Sequence, residues 1–401
     1  MDLTSDHPYW TVKNGILANY PPLHSDVACD IAILGAGITG ALIAEALTAE
    51  GHDVRILDAR DVGRGSTSAS TALLQYEIDT HLIELIERHG KRSAEMAYRA
   101  CHESIDLLDG KIRQLGIDCH FSRRESVYLA STESDWHNLQ REAAARRAIG
   151  IQVQEWSGTD VAERLGVVRA GALHSVQAAQ VDAYRLTHGL LCAVTSRGGH
   201  IYDRTCVTKV GTDENGVTLE TDRGYRVKAR KLIVASGYEA TEMFGLSKFV
   251  DLRSSFALAS EPMAEKDFWW HRCLLWESDR PYFYLRSDSD GRAIFGGGDV
   301  PFRNPEARDR LLRSKAATLE KQFRELFPGS PMEVAFCWAG TFGETEDGLA
   351  YIGPHQSHPH CLFALCFGGN GITFSMTAAG MISDALAGKR NDYAEVFAFD
   401  R

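Results

Sequence analysis

One short segment, from Asp30 to Asp58, limits this chain to a small set of folds. It contains the apolar run Ile31–Leu34, the glycine turn Gly-Ala-Gly-Ile-Thr-Gly at residues 35–40, and a second apolar run that ends at Asp58. Short apolar runs are typical of strands that are covered on both faces, and the apolar spacing between the two runs predicts a helix. The segment therefore predicts a strand–helix–strand unit within a parallel sheet.

The three glycines of the turn each meet a separate steric demand. Gly35 permits the sharp turn from strand to helix, Gly37 lets the backbone approach a pyrophosphate, and Gly40 lets the helix pack against the strand. The start of the helix offers free N–H groups and the positive end of a dipole to phosphates. Asp58 follows Gly40 by 18 residues, at a position where a carboxylate binds ribose hydroxyls. The pattern predicts a dinucleotide site, although a glycine-rich strand-to-helix turn that binds no ligand can have the same sequence pattern.

Composition argues against several other classes of protein. The formal net charge is −11 and the sequence pI is about 5.8, whereas nucleic-acid binding needs a concentrated basic surface. The first ten residues lack the pattern of a secretory signal, and the apolar segments 31–47 and 361–382 are interrupted by glycines, so we expect no membrane span. The nine cysteines form no CxxC pair or metal-ligand spacing. We expect a soluble cytoplasmic protein with reduced thiols, no metal and no nucleic-acid partner.

Further along the chain, helical and strand patterns alternate. Apolar spacing predicts helices at residues 80–115, 133–148, 181–197, 306–326 and 375–387. Short apolar or alternating runs predict strands at 205–210, 217–221 and 231–236, and residues 256–298 are rich in strand patterns and aromatic residues. The simplest organisation is interleaved. It predicts a dinucleotide-binding domain made of residues 26–85, 175–240 and 330–401, and a substrate domain made of residues 86–174 and 241–329.

Four later motifs, in order, resemble those of one family of flavoproteins. They are the hydroxyl-rich segment Gly63–Ser70, the run Leu232–Gly237, the set Trp338–Gly340, Thr345–Gly348 and Ile352-Gly353, and the loop Phe367–Thr373. Together they resemble the D-amino-acid oxidase, glycine oxidase and sarcosine oxidase family, and the resemblance covers nearly the whole chain. It implies an α/β fold in which a Rossmann-like FAD-binding domain is interleaved with an α+β substrate domain built on a mostly antiparallel sheet.

The resemblance also implies FAD as the cofactor. In the family the hydroxyl-rich loop holds the pyrophosphate and ribityl chain, and the late glycine loop stabilises the negative charge of reduced flavin. The implied reaction oxidises the C–N bond of an amine or amino acid: hydride passes to flavin N5, the imine is hydrolysed, and O2 or another acceptor takes the electrons. The implied FAD-binding residues are Gly35, Gly37, Ile38, Thr39, Gly40, Asp58, Ala59, Arg60, Ser66, Thr67, Ser68, Val207, Ser236, Gly237, Trp338, Gly340, Gly369, Asn370, Gly371, Ile372 and Thr373.

The substrate side is predicted from the segment Pro281–Arg286, which resembles the family hairpin beside the substrate cavity. Strand alternation places Tyr282, Tyr284 and Arg286 on one face, where tyrosine hydroxyls and a bidentate guanidinium suit a carboxylate. An ordinary sheet face with Arg286 in a structural ion pair explains the same pattern. The late loop has Asn370 and Thr373 where the sarcosine-oxidase branch has His and Lys. This departure argues against carboxylate binding of the sarcosine kind and against fast reaction with O2.

Two other functions fit parts of the pattern. Asp58 is compatible with NAD, so an NAD(P)-dependent dehydrogenase is one alternative. It leaves the Ser66–Ser70 loop and the loop around Asn370 without a purpose. A flavin-binding or assembly protein without turnover is the other alternative, because a fold alone does not establish activity.

Overall fold

The strands of this chain form two sheets, one mainly parallel and one mainly antiparallel. The computed structural model describes residues 2–5, 7–280, 282–365 and 367–401, so Pro281 and Cys366 lie outside the described residues. The helices are α1 (Tyr9–Asn14), α2 (Ile38–Ala49), α3 (Ser66–Ala69), α4 (Leu82–Leu115), α5 (Glu133–Ala148), α6 (Gly158–Leu165), α7 (Ala183–Ser196), α8 (Ala240–Met243), α9 (Pro305–Leu326) and α10 (Gly371–Leu386). The strands are β1 (Val27–Leu34), β2 (Val54–Leu57), β3 (Leu73–Gln75), β4 (Ser122–Ala130), β5 (Gln154–Ser157), β6 (Gly171–Gln180), β7 (His200–Tyr202), β8 (Val207–Asp213), β9 (Gly216–Thr221), β10 (Arg226–Val234), β11 (Asp251–Ser260), β12 (Leu274–Glu277), β13 (Phe283–Ser287), β14 (Ala293–Pro301), β15 (Val334–Glu344), β16 (Tyr351–Pro354) and β17 (Cys361–Leu365).

The first sheet has the strand order β16-β17-β10-β1-β2-β7, and the β8–β9 hairpin joins it through β10. Pairing is parallel from β17 across to β7, and β16 returns antiparallel to β17. In register, Leu34 lies beside Leu57 on one side and beside Val234 on the other. The three central strands therefore end at one edge of the sheet. In open α/β sheets a ligand binds outside this carboxyl edge.

Helix α2 is enclosed by the sheet and by its neighbours α7 and α10. Its apolar side chains are almost all buried, which explains why the sequence between the first two strands is apolar on every side. The buried carboxylate of Glu45 is an exception, and it pairs with Arg197 at 2.7 Å and with Lys111. Two cations on one buried carboxylate compensate the loss of its hydration.

The second sheet has the order β15-β11-β14-β13-β12-β4-β6-β3, with β5 paired to β6. Its pairs among the described strands are antiparallel except β4 with β12. Helix α9 packs on β11, β14 and β15 through Leu319 and Phe323. The predicted fold class, a Rossmann-like sheet combined with a mostly antiparallel second sheet, is confirmed.

The predicted helices are present, with small differences in their ends. Helix α4 is interrupted at Gly90, where φ is 78°, because a left-handed backbone breaks the helical hydrogen bonds. Helix α10 begins at Gly371 instead of residue 375, and its first turns are buried. None of the helices in the described part of the chain has the length and apolar content of a membrane span.

The interleaved domain division remains a prediction, and the sheets add a detail to it. Strand β15, assigned from sequence to the dinucleotide domain, pairs with β11 of the second sheet. Strand β3 likewise pairs with β6. The chain therefore crosses between the two sheets within stretches that the prediction assigned to the dinucleotide-binding domain.

The N-terminal segment forms part of the second sheet's edge. Thr4 makes a β-bridge with Gly340, and Ser5 exchanges hydrogen bonds with Ala339 through its backbone N–H and its hydroxyl. The guanidinium of Arg308, on α9, is fully buried and donates to the carbonyls of Asp2 at 3.1 Å and Thr4 at 2.8 Å. Sequence patterns gave no indication of this arrangement.

Candidate active site

A cavity of about 730 Å³ lies against the carboxyl edge of the parallel sheet. Its walls come from the loops after β1, β2 and β10, from the inner strands of the second sheet, and from the start of α10. One end is lined by the glycine turn and Asp58. The other end is lined by aromatic and charged side chains, among them Tyr128, Trp276 and Asp299.

The glycine turn has no room for side chains. Gly35 has a φ of 108°, and a Cβ there would lie 2.6 Å from the carbonyl oxygen of Ala235. A Cβ on Gly40 would lie 1.9 Å from the carbonyl oxygen of Gly35, so helix α2 can approach the turn only without one. A Cβ on Gly37 would come within 3.0 Å of Thr67 Oγ1. The turn therefore leaves its backbone open to a ligand at the helix start.

Asp58 lies at the end of β2 and is held by main-chain donors. Its Oδ2 accepts from Ala36 N at 2.7 Å, and its Oδ1 accepts from Arg60 N at 2.9 Å. Burial raises the pKa of Asp58, while these hydrogen bonds and the Arg60 charge act in the opposite direction. Arg60 also pairs with Glu239 at 2.5 Å. The carboxylate is thus fixed in position at the nucleotide end of the cavity.

The hydroxyl-rich segment forms the short helix α3 beside the start of α2. Thr67 Oγ1 accepts from the Ile38 N–H at 3.0 Å, and Ser66 Oγ lies 3.0 Å from the hydroxyl of Tyr238. Ser68 Oγ donates to the carbonyl of Gly65 at 2.9 Å. Thr67 and Ser66 line the cavity, whereas Ser68 stabilises the loop from outside it.

The late glycine loop is attached to the segment that follows β3. Gly369 N donates to Asp79 Oδ2 at 3.0 Å, and Asn370 Nδ2 donates to the carbonyls of Glu77 at 2.8 Å and Gln75 at 3.3 Å. The amide of Asn370 is therefore used to connect two segments of protein, and Thr373 Oγ1 donates to the Asn370 carbonyl.

Most of the residues predicted to bind FAD line this one cavity. Those that line it are Gly35, Gly37, Ile38, Thr39, Asp58, Ala59, Arg60, Ser66, Thr67, Val207, Ser236, Gly237, Trp338, Gly340, Gly369, Asn370, Gly371 and Ile372. Gly40, Ser68 and Thr373 do not line it, although each is next in sequence to a residue that does. Ser236 Oγ is buried and has no hydrogen-bond partner among the described residues, which leaves a polar group for a ligand. The cradle and its donors fit a dinucleotide.

Of the three residues predicted to hold the substrate, the structure brings two to the cavity. Tyr282 and Tyr284 line its far end. Arg286 does not: it is 2% exposed, and its Nη1 donates to the carbonyls of Thr71, Ala72 and Val181 at 2.8–3.0 Å. This corrects the expectation that Arg286 binds a substrate carboxylate. The guanidinium is held by main-chain oxygens, and it fixes Ala72, whose φ is 56°.

Several cavity residues were missed from the sequence. They are Gln75, Glu77, Asp79, His81, Tyr128, Arg146, Trp276, Asp299 and Glu344, with Leu3 from the N-terminal segment. The available signal was weak: polar residues at 75, 77 and 79 alternate with buried Leu74, Tyr76 and Ile78. Alternation of this kind indicates a strand with one exposed face, but it does not distinguish a cavity from solvent.

A buried ion pair lies in the cavity wall, among the residues that were missed from the sequence. Arg146 Nε pairs with Glu142 at 2.8 Å, and its Nη1 is 3.6 Å from Glu77 Oε1. The side chains of Arg146 and Glu77 are 1% and 7% exposed. Burial raises the pKa of Glu77 to about 7, although Arg146 lowers it in part. Both the neutral and the charged form of Glu77 are therefore populated near neutral pH.

Comparison with known proteins identifies the family. Residues 30–385 match the family described as FAD dependent oxidoreductase, DAO. The gamma-glutamylputrescine oxidoreductase of Escherichia coli is 24% identical over 95% of this chain and 88% of its own length. The glycine oxidase of Geobacillus kaustophilus is 24% identical over 91% of this chain and 94% of its own. The crystal structure of that glycine oxidase covers 91% of this chain and 96% of its own, with a TM-score of 0.78 at 22% identity. The chain belongs to the DAO family of FAD-dependent oxidoreductases.

Proposed function

We propose that this protein binds FAD and oxidises the C–N bond of an amine or amino acid. The observation that carries the proposal is that one cavity is lined both by the dinucleotide cradle and by a chamber of aromatic and charged side chains. FAD held at Asp58 and at the hydroxyl-rich loop would share this cavity with the chamber. The relatives named as a glycine oxidase and a gamma-glutamylputrescine oxidoreductase support this reaction class.

The residues assigned to FAD have distinct tasks. The start of α2, with Ser66 and Thr67 beside it, would hold the pyrophosphate through the N–H groups that Thr67 does not already accept from. Asp58 would accept hydrogen bonds from the ribose hydroxyls at the end of the cavity lined by the glycine turn. The start of α10, at Gly371 and Ile372, presents the positive end of a 16-residue helix, which stabilises negative charge at the end of the cavity near the chamber.

When bound, FAD would accept the hydride that leaves the carbon next to nitrogen, while the nitrogen lone pair forms the C=N bond that water later hydrolyses. The protein's part is to orient the substrate and to exclude water. Tyr282, Tyr284 and Trp276 form an aromatic wall for this purpose. A neutral amine loses hydride without a dedicated strong base, so no catalytic triad is required.

The experiment is anaerobic reduction of the purified protein by a panel of candidate substrates. We expect yellow protein with the absorbance of oxidised flavin, bleached by one class among D-amino acids, N-methyl amino acids, cyclic imino acids and polyamines. Colourless protein that FAD does not reconstitute would contradict cofactor binding. Flavin that dithionite reduces but no amine reduces would indicate the non-catalytic alternative, and thermal stabilisation by NAD instead of FAD would indicate the NAD(P)-dependent one.

A further inference from the structure

The far end of the cavity, here called the chamber, has an acidic side. Asp79, Asp299 and Glu344 all line it. Asp299 Oδ1 is buried and has no hydrogen-bond partner among the described residues. Burial raises the pKa of Asp299 to about 6, and the charges of Glu344 and Asp79 add to that rise. The three carboxyl groups line the same space, and the charges of Glu344 and Asp79 act on Asp299.

The positive charges near the chamber already have partners. Arg253 pairs with Glu344 at 2.9 Å, and Arg280 is exposed, with its guanidinium 3.3 Å from the centre of the Tyr282 ring. Among the described lysines and arginines, Arg60 and Arg146 are those that line the cavity, and Arg60 is at the nucleotide end. Arg146 is bound by two carboxylates, Glu142 and Glu77.

The inner corner of the chamber offers donors without a surplus of positive charge. Arg146 Nη2 and Gln75 Nε2 are buried N–H donors with no hydrogen-bond partner in the described part of the chain. Glu142 and Glu77 already balance the charge of Arg146, so a third carboxylate would be repelled there when Glu77 is ionised. A neutral acceptor, such as an amide carbonyl or a hydroxyl, suits the two donors.

The remaining wall is aromatic. The rings of Tyr128 and Trp276 stack with centroids 5.0 Å apart, and Tyr282 and Tyr284 complete the surface. Aromatic faces attract ammonium groups, by about 0.5–2 kcal/mol for each well-placed contact, and they pack against methylene chains. Carboxylates gain nothing comparable from a ring face.

We propose that the substrate is a cationic amine without a carboxylate, whose second ammonium group is held by Asp79, Asp299 and Glu344 while its reacting nitrogen is neutral. This inference rests on the proposed function and specifies its substrate class. The aromatic wall encloses the alkyl chain between the two nitrogens. Where the substrate carries a neutral polar group, Gln75 and Arg146 donate hydrogen bonds to it.

The test uses two molecules that differ only by a carboxylate, 1,4-diaminobutane and ornithine, with the FAD-loaded protein. The diamine is expected to reduce the flavin anaerobically with an apparent Kd at least about tenfold lower than that of ornithine, because the carboxyl groups of the chamber repel the ornithine carboxylate; a factor of ten corresponds to roughly 1.4 kcal/mol. An equal or lower Kd for ornithine would overturn the inference while leaving the proposed function intact. If the Arg146→Gln variant then lost that preference for ornithine, Arg146 would be identified as the residue that binds the ornithine carboxylate.

A binding measurement separates this inference from turnover. Butyltrimethylammonium and hexanoate have similar length and opposite charge, and titration of the flavin spectrum reports the binding of each. The ammonium ion is expected to bind more tightly, and Asp299→Asn or Glu344→Gln to weaken it about tenfold or more. Glu163→Gln removes the same charge from the exposed face of α6 and serves as the control. Tighter binding of hexanoate would overturn the inference even if no amine reduces the flavin.

Discussion

The hydroxyl oxygen of Thr67 accepts a hydrogen bond from the backbone N–H of Ile38, with 3.0 Å between the two heavy atoms. The contact joins the hydroxyl-rich segment to the first residue of α2, so two motifs that are 29 residues apart form one surface. The hydroxyl accepts a hydrogen bond from an N–H in the first turn of α2, which has no partner within the helix itself. The geometry of the dinucleotide cradle therefore depends on this loop as well as on the glycines.

Replacing Thr67 with Val is expected to weaken FAD binding. The isosteric change leaves the buried N–H of Ile38 without its acceptor, which costs about 1–3 kcal/mol. We expect a corresponding rise in the dissociation constant for FAD and a lower melting temperature of the apoprotein. Thr67→Ser keeps the hydroxyl and should retain most of the affinity. Equal FAD affinity for the Val and Ser variants would show that the hydroxyl is not required.

Arg308→Ala is expected to release the N-terminal segment. The buried guanidinium loses its bonds to the carbonyls of Asp2 and Thr4, and bonds to charged groups contribute on the order of 3 kcal/mol together. Hydrogen exchange at residues 3–5 should accelerate, and FAD should dissociate faster because Leu3 lines the cavity. Arg310→Ala, an exposed neighbour on α9, should change neither. Unchanged protection in the Arg308 variant would argue against this role.

Arg286→Lys is expected to lower stability without selectively weakening the binding of carboxylate ligands. Lysine keeps the charge but cannot reproduce the guanidinium's set of bonds to the Thr71, Ala72 and Val181 carbonyls. The free energy of unfolding should fall by about 2–3 kcal/mol. Arg313→Lys on the exposed face of α9 is the matched control. A selective loss of affinity for carboxylate ligands at unchanged stability would instead restore the substrate role.

Binding of a cationic ligand should strengthen as pH rises through about 6. Asp299 is neutral below that pKa, because burial together with the charges of Glu344 and Asp79 raises it, and the hydrogen bond with Ser255 and the charge of Arg280 only partly oppose them. Above it the carboxylate is charged and attracts the cation, so the Kd of butyltrimethylammonium should fall between pH 5 and pH 7 by about tenfold. Asp299→Asn should flatten that profile. A profile that keeps its slope in this variant would assign the titration to another group.

The glycine-lined end of the cavity could be predicted because its geometry is local. Gly35, Gly37 and Gly40 occupy one turn, and the parallel strands on either side bring Asp58 to the same edge. Those positions follow from chain connectivity and from the steric needs of one tight turn. The four later motifs extended this prediction through a family resemblance.

The chamber could not be predicted in the same way, because its residues come from distant segments. Tyr128 and Trp276 belong to β4 and β12, which pair in parallel across about 150 residues of sequence. Arg286 has the alternation expected of a cavity residue, and only the approach of the Thr71 and Val181 carbonyls shows that it is turned to the backbone. Long-range pairing, which sequence periodicity does not encode, decided both outcomes.

The β-bridge between Thr4 and Gly340 has a consequence for how the protein is made. Thr4 and Ser5 have their partners on β15, which is synthesised more than 300 residues later. They can reach their final place only after β15 has been made. Because Leu3 forms part of the cavity wall, that wall is complete only once the first residues of the described chain have paired with a strand made much later.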